Sequence, residues 1–599
     1  MTTAPEPKDR LDAPANAGAN GPEGDSLDWD AIDWRACEED ARRLRQRIFT
    51  ASQAGDLRRV RNLQRLTLRS RANTLLGVRR VTERDAGRKT AGIDGEVVLT
   101  PEARADLAEW LQQRSEPWRA RPVKRACIPR RGGGQRRPLG IPVIVDRVQQ
   151  ARVVSALEPE WEARFEPRPY GFRPGRGCHD AIEAICQAAK ARRPRRPWVL
   201  DADLAAAFGR TDHAHLLAQL GTFPARGLVA RWLKAGVAEE GRYAPTEEGT
   251  PQGGAISPVL LNVALHGMEQ AAGVRHHRVG SDAAWVAEGS PVLVRYADDL
   301  AALCHTRDEA LQVKARLAGW LAPRGLALNE DKTRVVPLDE GLDLLGFNVR
   351  RYRDELLIEP SKAAAGRIRE RLRTEMRSLR GANAAAVPNR LNPLIRGWAA
   401  YRRTVVSGEA FAALDGHLWA PAYKWAVFGH ANKPRPWAVA RYFGRLNGAR
   451  RDRWVFGDRD SGAHLPKFAW AGIVRHQMVR GRASPDDPAL AGYWAERRRK
   501  VPSPSMGKAR RWLLRAQDGR RPACGGWLLP ADDPPQGPRE WEHWLAAIRK
   551  ATVKVALRED GVSGETRIRL VHLHCHRRGM ALGGRGPALL SADDPSGLA

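Results

Sequence analysis

The stretch PVLVRYADDLAALC, residues 291–304, constrains the fold of this chain more than any other. Val292, Val294 and Tyr296 alternate with Leu293 and Arg295, and a mostly apolar run resumes from Leu300 to Cys304. Two strands therefore meet with Ala297, Asp298 and Asp299 at the tip of a hairpin. Adjacent carboxylates between apolar strands are costly unless a cation neutralises them, and a hard divalent ion does so with oxygen ligands. A third carboxylate is available in VLDADLAAAF, where Asp201 and Asp203 lie near the end of a strand and, two residues apart, share a face. One of the two completes the cage. Three carboxylates around two Mg²⁺ ions suit in-line phosphoryl transfer: one ion lowers the pKa of an attacking hydroxyl, the other stabilises a leaving pyrophosphate.

The charge balance points to a polyanionic partner, since 100 Lys+Arg stand against 69 Asp+Glu for a formal +31. At roughly 150 residues per domain, 599 residues divide into about four units, and 42% hydrophobic residues with 20 Trp exclude wholesale disorder. No apolar run approaches the roughly 18 residues that span a bilayer, so no membrane partner is expected. Cys37, Cys127, Cys178, Cys186, Cys304, Cys524 and Cys575 are too scattered for a disulfide framework, and no basic region followed by an apolar run opens the chain. A reduced, cytoplasmic protein is expected.

Along the chain, residues 1–27 are Pro/Gly/Ala-rich and read as a disordered tail. From Trp34 to Arg80, apolar positions at helical spacing interleaved with Arg predict two solvated amphipathic helices, or a basic arm along phosphates. Residues 124–150 predict a hairpin around Gly132 to Gly134, whose Arg130, Arg131, Arg136 and Arg137 could grip a triphosphate. A helix follows through Val148, Val153, Leu157 and Trp161; then come a strand from Trp198 to Leu204 and a helix capped near Thr211 or Asp212. In GTPQGGAISPVLLN, Gly253 and Gly254 permit close backbone approach ahead of a helix over 257–270, with Ser257 as N-cap and Pro258 at its first position. Beyond Pro360 come Arg-rich helices, a Trp-rich region over 398–470 and a Pro-broken C-terminal segment, with no fixed-period repeat.

Taken in order, RVTERDAGRKTAGIDG (80–95), IPRRGGGQRRPLGIPVIVDRVQQ, YGFRPGRGCHDAI (170–182), DADLAAAFGRTDH (201–213), GTPQGGAISPVLLN (249–262), YADDL (296–300), LNEDKTR (328–334) and LDLLGF (342–347) resemble the reverse transcriptase and maturase proteins encoded by group II introns. LIRGWAAYRRTVVSGEAF (394–411) is similar to the maturase region called domain X. The resemblance implies an α+β right-hand polymerase fold, with fingers and palm built on antiparallel sheet, a helical thumb and maturase domain, and a small C-terminal HNH-like module. The corresponding divisions are a tail over 1–27, a basic helical extension over 28–115, fingers and palm over 116–355, thumb and domain X over 356–480, and a DNA-binding, degenerate HNH-like region over 481–599.

Carried over by motif, Asp203, Asp298 and Asp299 match the acids that hold two Mg²⁺ ions, and Phe208 matches the bulky residue that excludes a ribose 2′-OH. Arg130 and Arg137 match basic residues near the triphosphate, Gln252 and Gly253 the nucleotide-pocket loop, and Lys332 a lysine on the pyrophosphate side. Gly209 departs from the family, which usually has Asp after the Phe, and this puts the local turn in question. The implied partners are intron RNA as template and splicing substrate, a DNA target or primer, and dNTPs, with a bacterial, nucleoid-associated location. The alternative is a splicing cofactor with a weak or absent polymerase. Cys524, His543, His572, Cys575 and His576 trace an HNH-like pattern, but Arg521 replaces a Cys and Arg567 an Asn. Loss of a thiolate ligand should weaken metal binding severely; no zinc and a DNA-binding remnant are expected there.

Overall fold

The computed structural model describes residues 27–114, 118–129, 136–191, 195–251, 253–279, 283–430, 432–500, 512–514, 516–517, 535, 537–558 and 566–572. Three helices open it: α1 (Trp34–Gln53), α2 (Leu57–Arg69) and α3 (Arg71–Arg79), with α4 (Pro101–Gln113) capped by the Thr100 hydroxyl. A hairpin of β1 (Val123–Pro129) and β2 (Arg136–Ile141) follows, with Lys124 opposite Ile141 and Ile128 opposite Arg137. Its glycine turn lies outside the described residues. The long helix α5 (Ile144–Arg164) is buried along most of its length.

The N-terminal helices, three rather than two, keep a solvated Arg-rich face, with Arg42, Arg43, Arg58, Arg59 and Arg65 exposed, but dock their apolar face rather than standing as a free arm. Ile48, Ala51, Val60 and Leu63 are buried, while Leu57 and Leu66 stay exposed. Arginines of these helices pair with acids of α5: Arg61 with Glu160 at 2.5 Å and Arg45 with Glu158 at 2.7 Å. An amphipathic pattern marks the apolar face but not its cover, and here the cover is α5, whose acids neutralise part of the basic face.

After α6 (Cys178–Ala189), the central sheet is built from β3 (Trp198–Asp203), then, past α7 (Ala207–Arg210), α8 (His213–Leu220), α9 (Arg226–Leu233) and the short strands β4 (Val237–Glu239) and β5 (Arg242–Ala244), from later segments. The stretch expected as one helix over 257–270 breaks into α10 (Ser257–Ala264) and α11 (Met268–Ala271) at Gly267, whose φ is +92°. Ser257 is not the cap; its hydroxyl donates to the Pro251 carbonyl at 2.8 Å, tying the helix start to the preceding loop. Beyond the hairpin β6 (His276–Val279) and β7 (Ala283–Val286) lie β8 (Val292–Tyr296), β9 (Asp299–Cys304), α12 (Arg307–Leu321) and β10 (Arg334–Pro337).

In the antiparallel order β10-β3-β9-β8, the strands β3, β9 and β8 are buried on both faces, while the edge strand β10 buries only Val336. Val199, Val292, Val294, Ala301 and Leu303 face α6. Leu200, Ala202, Leu293, Leu300 and Ala302 face Leu261, Met268, Val313 and Leu317. The period of two that the sequence shows is thus sandwiched between helices. The strands β11 (Leu342–Leu344), β12 (Phe347–Tyr352) and β13 (Glu355–Pro360) form a second antiparallel sheet against the α6 side.

A helical body follows: α13 (Lys362–Ser378), capped by the Ser361 hydroxyl, α14 (Ala386–Arg402) and α15 (Gly408–Phe428). Ile368, Leu372 and Met376, four residues apart, pack with Leu391, Ile395 and Trp398 and with Leu414, Leu418 and Trp425. It is completed by α16 (Arg435–Tyr442) and the two-residue strands β14 (Phe443–Gly444) and β15 (Val455–Phe456). The chain then returns to α6, where the buried Asp180 carboxylate accepts from the Val479 N–H at 2.8 Å and lies 2.9 Å from His476 Nε2. After α17 (Ala491–Lys500), α18 (Pro538–Ala551) packs across α14 and leads into the hairpin β16 (Thr552–Arg558) and β17 (Thr566–His572).

Candidate active site

The register of the central sheet puts Asp203 directly opposite Asp299 and Asp201 opposite Ala301. Tyr296 pairs with Asp299 on the other side, leaving Ala297 and Asp298 as a two-residue turn with Ala297 at φ +57°. The Leu204 N–H donates to the Asp298 carbonyl at 3.1 Å, tying the end of β3 to that turn. Asp201, Asp203 and Asp299 line a cleft of about 300 Å³ with Asp331, Asp343, Lys332 and Arg334; Asp298, at the tip, is not among the lining residues.

Burial, then the neighbouring Asp298 and Asp203, push the Asp299 carboxyl up to about 7. Burial also raises Asp201 despite Arg334, whose Nη2 donates to it at 2.8 Å. The Lys332 ammonium pairs with Asp203. Both β3 carboxylates are thus turned onto cations on or beside β10, and among the described residues no group of three or more His, Cys, Asp or Glu is placed to hold a metal ion. The donor set itself fits a hard dication: it is all carboxylate oxygen, and its acids outnumber its cations.

A residue the sequence reading passed over holds the turn. Arg295 is 2% exposed, and its Nη1 donates to Asn262 Oδ1 and to the Ala297 carbonyl, both at 3.0 Å. Asn262 Nδ2 in turn donates to the Gly171 carbonyl at 2.9 Å, and a Cβ at Gly171 would collide with the Ala297 nitrogen. Burial lowers the Arg295 pKa to about 10, with Glu166 and Glu269 opposing the shift. The sequence signal was a lone cation inside the apolar run Val-Leu-Val-Arg-Tyr, which, once buried there, needs an acceptor set.

Phe208 is buried on α7, its ring 6.1 Å from that of the exposed Phe172, which sits at φ +58°. Gly209 is exposed, and a Cβ there would meet none of the described residues within 4 Å. The turn in question is formed, since the Gly209 N–H donates to Ala206 at 2.7 Å and the next loop docks on it through Thr250 N to the Phe208 carbonyl at 2.5 Å. Gly253 has φ +121° and sits where a Cβ would lie 2.6 Å from the Gly140 carbonyl oxygen, so both conformation and space demand glycine. Arg130 and Gln252 lie outside the described residues, and Arg137 is described only by its backbone place opposite Ile128. Cys524, Cys575 and His576 likewise lie outside them, together with Arg521; His572 and Arg567 are described only as β17 backbone, and His543 is exposed on α18.

Family models match three stretches: an N-terminal domain of reverse transcriptase over 29–111, a reverse transcriptase (RNA-dependent DNA polymerase) over 128–349, and a group II intron maturase-specific domain over 365–443. Protein YkfC of Escherichia coli is 30% identical over 344 residues, 52% of this chain and 88% of that protein. The group II intron-encoded protein LtrA of Lactococcus lactis is 35% identical over 153 residues, a span of 25% of each chain. A solved telomerase from Candida albicans, in complex with a fragment of telomeric RNA, aligns with a TM-score of 0.26 and 12% identity over 54% of this chain and 61% of that one, too slight a likeness to bear on the fold. Among the described residues no helix is long and apolar enough to cross a membrane.

Proposed function

Since the chain belongs to the group II intron reverse transcriptase and maturase family, a family of RNA-directed DNA polymerases, we propose that it copies RNA into DNA at the cleft between β3 and β9 and assists splicing of the RNA it binds. The observation that carries this reading is the pairing of Asp203 with Asp299 across the sheet, beside a turn that presents Asp298. These three acids would hold two Mg²⁺ ions, which when bound supply the Lewis acidity that activates a primer hydroxyl and neutralises a departing pyrophosphate. Lys332 and Arg334 serve as counter-charges to Asp203 and Asp201. Lys332, half exposed on a short turn, is free to follow phosphate charge instead. Phe208, Gln252 and Gly253 would shape the deoxynucleotide pocket, and Arg130 and Arg137 would meet the triphosphate.

Primer extension on an RNA template with Mg²⁺ tests the proposal, comparing wild type with Asp298→Ala. Robust deoxynucleotide incorporation that the substitution abolishes is expected. A well-folded wild-type chain that incorporates nothing would leave only the splicing role, as an RNA-binding cofactor.

A further inference from the structure

We propose that the outer surface of the helical body carries a stacking platform for unpaired RNA bases, built by Trp419, Tyr423 and Trp454. This deepens the RNA-handling part of the reading above and rests on it. Trp419 and Tyr423, one turn apart on α15, stack with centroids 5.2 Å apart and planes at 8°. Trp454 meets Trp419 edge-on at 6.3 Å, and the ring of Phe443, 4% exposed, supports both from below at 6.3 and 6.5 Å. Despite this mutual packing, Trp419 remains 40% exposed and Trp454 56% exposed. Single exposed apolar side chains are ordinary, but contiguous tryptophans rigidly held and left open mark a binding surface.

The charge of the neighbouring loop names the partner. The loop that joins β14 to β15 and delivers Trp454 exposes Arg445, Arg450, Arg451 and Arg453, and Lys424 is exposed beside Tyr423. The acid in that loop, Asp452, is occupied by Lys467 at 2.6 Å and the Trp470 indole N–H at 2.8 Å. Aromatic faces delivered by a loop with four exposed arginines, one of them, Arg450, over the Trp470 ring at 5.9 Å, suit stacked bases with phosphates alongside. In a duplex the base faces are already stacked on each other, so the occupant is single-stranded RNA with splayed bases.

Fluorescence anisotropy with the full chain tests this, using a fluorescein-labelled oligoadenylate and a fully paired RNA duplex of the same length as probes. Trp419→Ala and Trp454→Ala should each weaken oligoadenylate binding roughly tenfold and change duplex binding by less than about twofold. Trp419→Tyr and Trp454→Tyr, which keep a stacking plane and the fold, should restore most of the loss, and oligoadenylate should quench tryptophan fluorescence in the wild type. Equal losses on both probes, or none on either, would overturn the platform. So would a wild-type dimer in sedimentation that Trp454→Ala dissolves, since the surface would then be an interface between copies. A wild type that fails to incorporate nucleotides would refute the polymerase reading and leave this binding comparison intact.

Discussion

Asp201 and Asp203 share one face of β3, yet their environments differ in a way substitution can read. Asp203 lies opposite Asp299, whereas Asp201 lies two residue pairs deeper, opposite Ala301, and is held by Arg334. Asp203→Asn should therefore abolish nucleotide incorporation, while Asp201→Asn should retain it; measured the other way round, the register of the candidate site is wrong. Arg295 offers a second test. Its truncation to Gln strips the Ala297 carbonyl and Asn262 of a buried, charge-assisted donor, a loss worth about 1–3 kcal/mol of local stability. Arg295→Gln should lower kcat for incorporation about tenfold or more with KM for dNTP little changed, because the turn that presents Asp298 loosens while the nucleotide loop is untouched. Asn262→Ala should act in the same direction. A KM effect without a kcat effect would show that Arg295 does not position the turn.

The elements differ in how far the sequence foretold them. The hairpin β8–β9 and the strand β3 were legible because period-two burial is written directly into alternating side chains. The start of α10 at Ser257, with Pro258 in its first turn, was legible too, but its end was not: the helix breaks at Gly267, whose N–H meets the Glu166 carboxylate, and the Ser257 bond to Pro251 in place of a cap is likewise tertiary. Likewise the pairing of Lys332 and Arg334 with the β3 acids depends on β10 lying beside β3, which no local pattern announces. The contact of α18 with α14 is the furthest from local reading. There Gly397 lets the helices approach so closely that a Cβ would lie 2.6 Å from Glu542 Cγ and 2.9 Å from its backbone nitrogen. The buried Glu542 carboxylate meets Arg371 of α13 at 2.7 Å, which fixes the crossing. Gly397→Val should therefore displace α18 rather than unfold α14. Limited proteolysis should cut the variant faster near residues 538–551 at an unchanged rate within 386–402, and equal protection in variant and wild type would refute the crossing.

Across the whole molecule, buried ionisable groups pull stability in opposite directions with pH. Glu158 and Asp299, both pushed up to about 7 chiefly by burial, favour folding at lower pH. His179 and His266 do the reverse, each lowered to about 4 by burial and nearby positive charge. Because these contributions offset, the overall pH–stability curve is a poor probe, and single substitutions read better. His266 is the cleanest: its ring lies 5.6 Å from Trp161 and 5.9 Å from Phe165, its Nδ1 is buried with no hydrogen-bond partner among the described residues, and the charges of Arg164, Arg482, Arg173 and Arg295 oppose its protonation. The unfolded chain protonates this histidine below its ordinary 6.5, whereas the folded one resists until about 4, so the stability it permits at neutral pH drains away as pH falls through that window. His266→Phe removes the titration and keeps an aromatic ring in the apolar slot. Relative to wild type, its stability should rise as pH drops from 6.5 to 4, by on the order of 2–3 kcal/mol, and stay constant above 7. Thermal melts across that range decide it: a constant Tm difference at every pH would mean that His266 titrates normally in the fold.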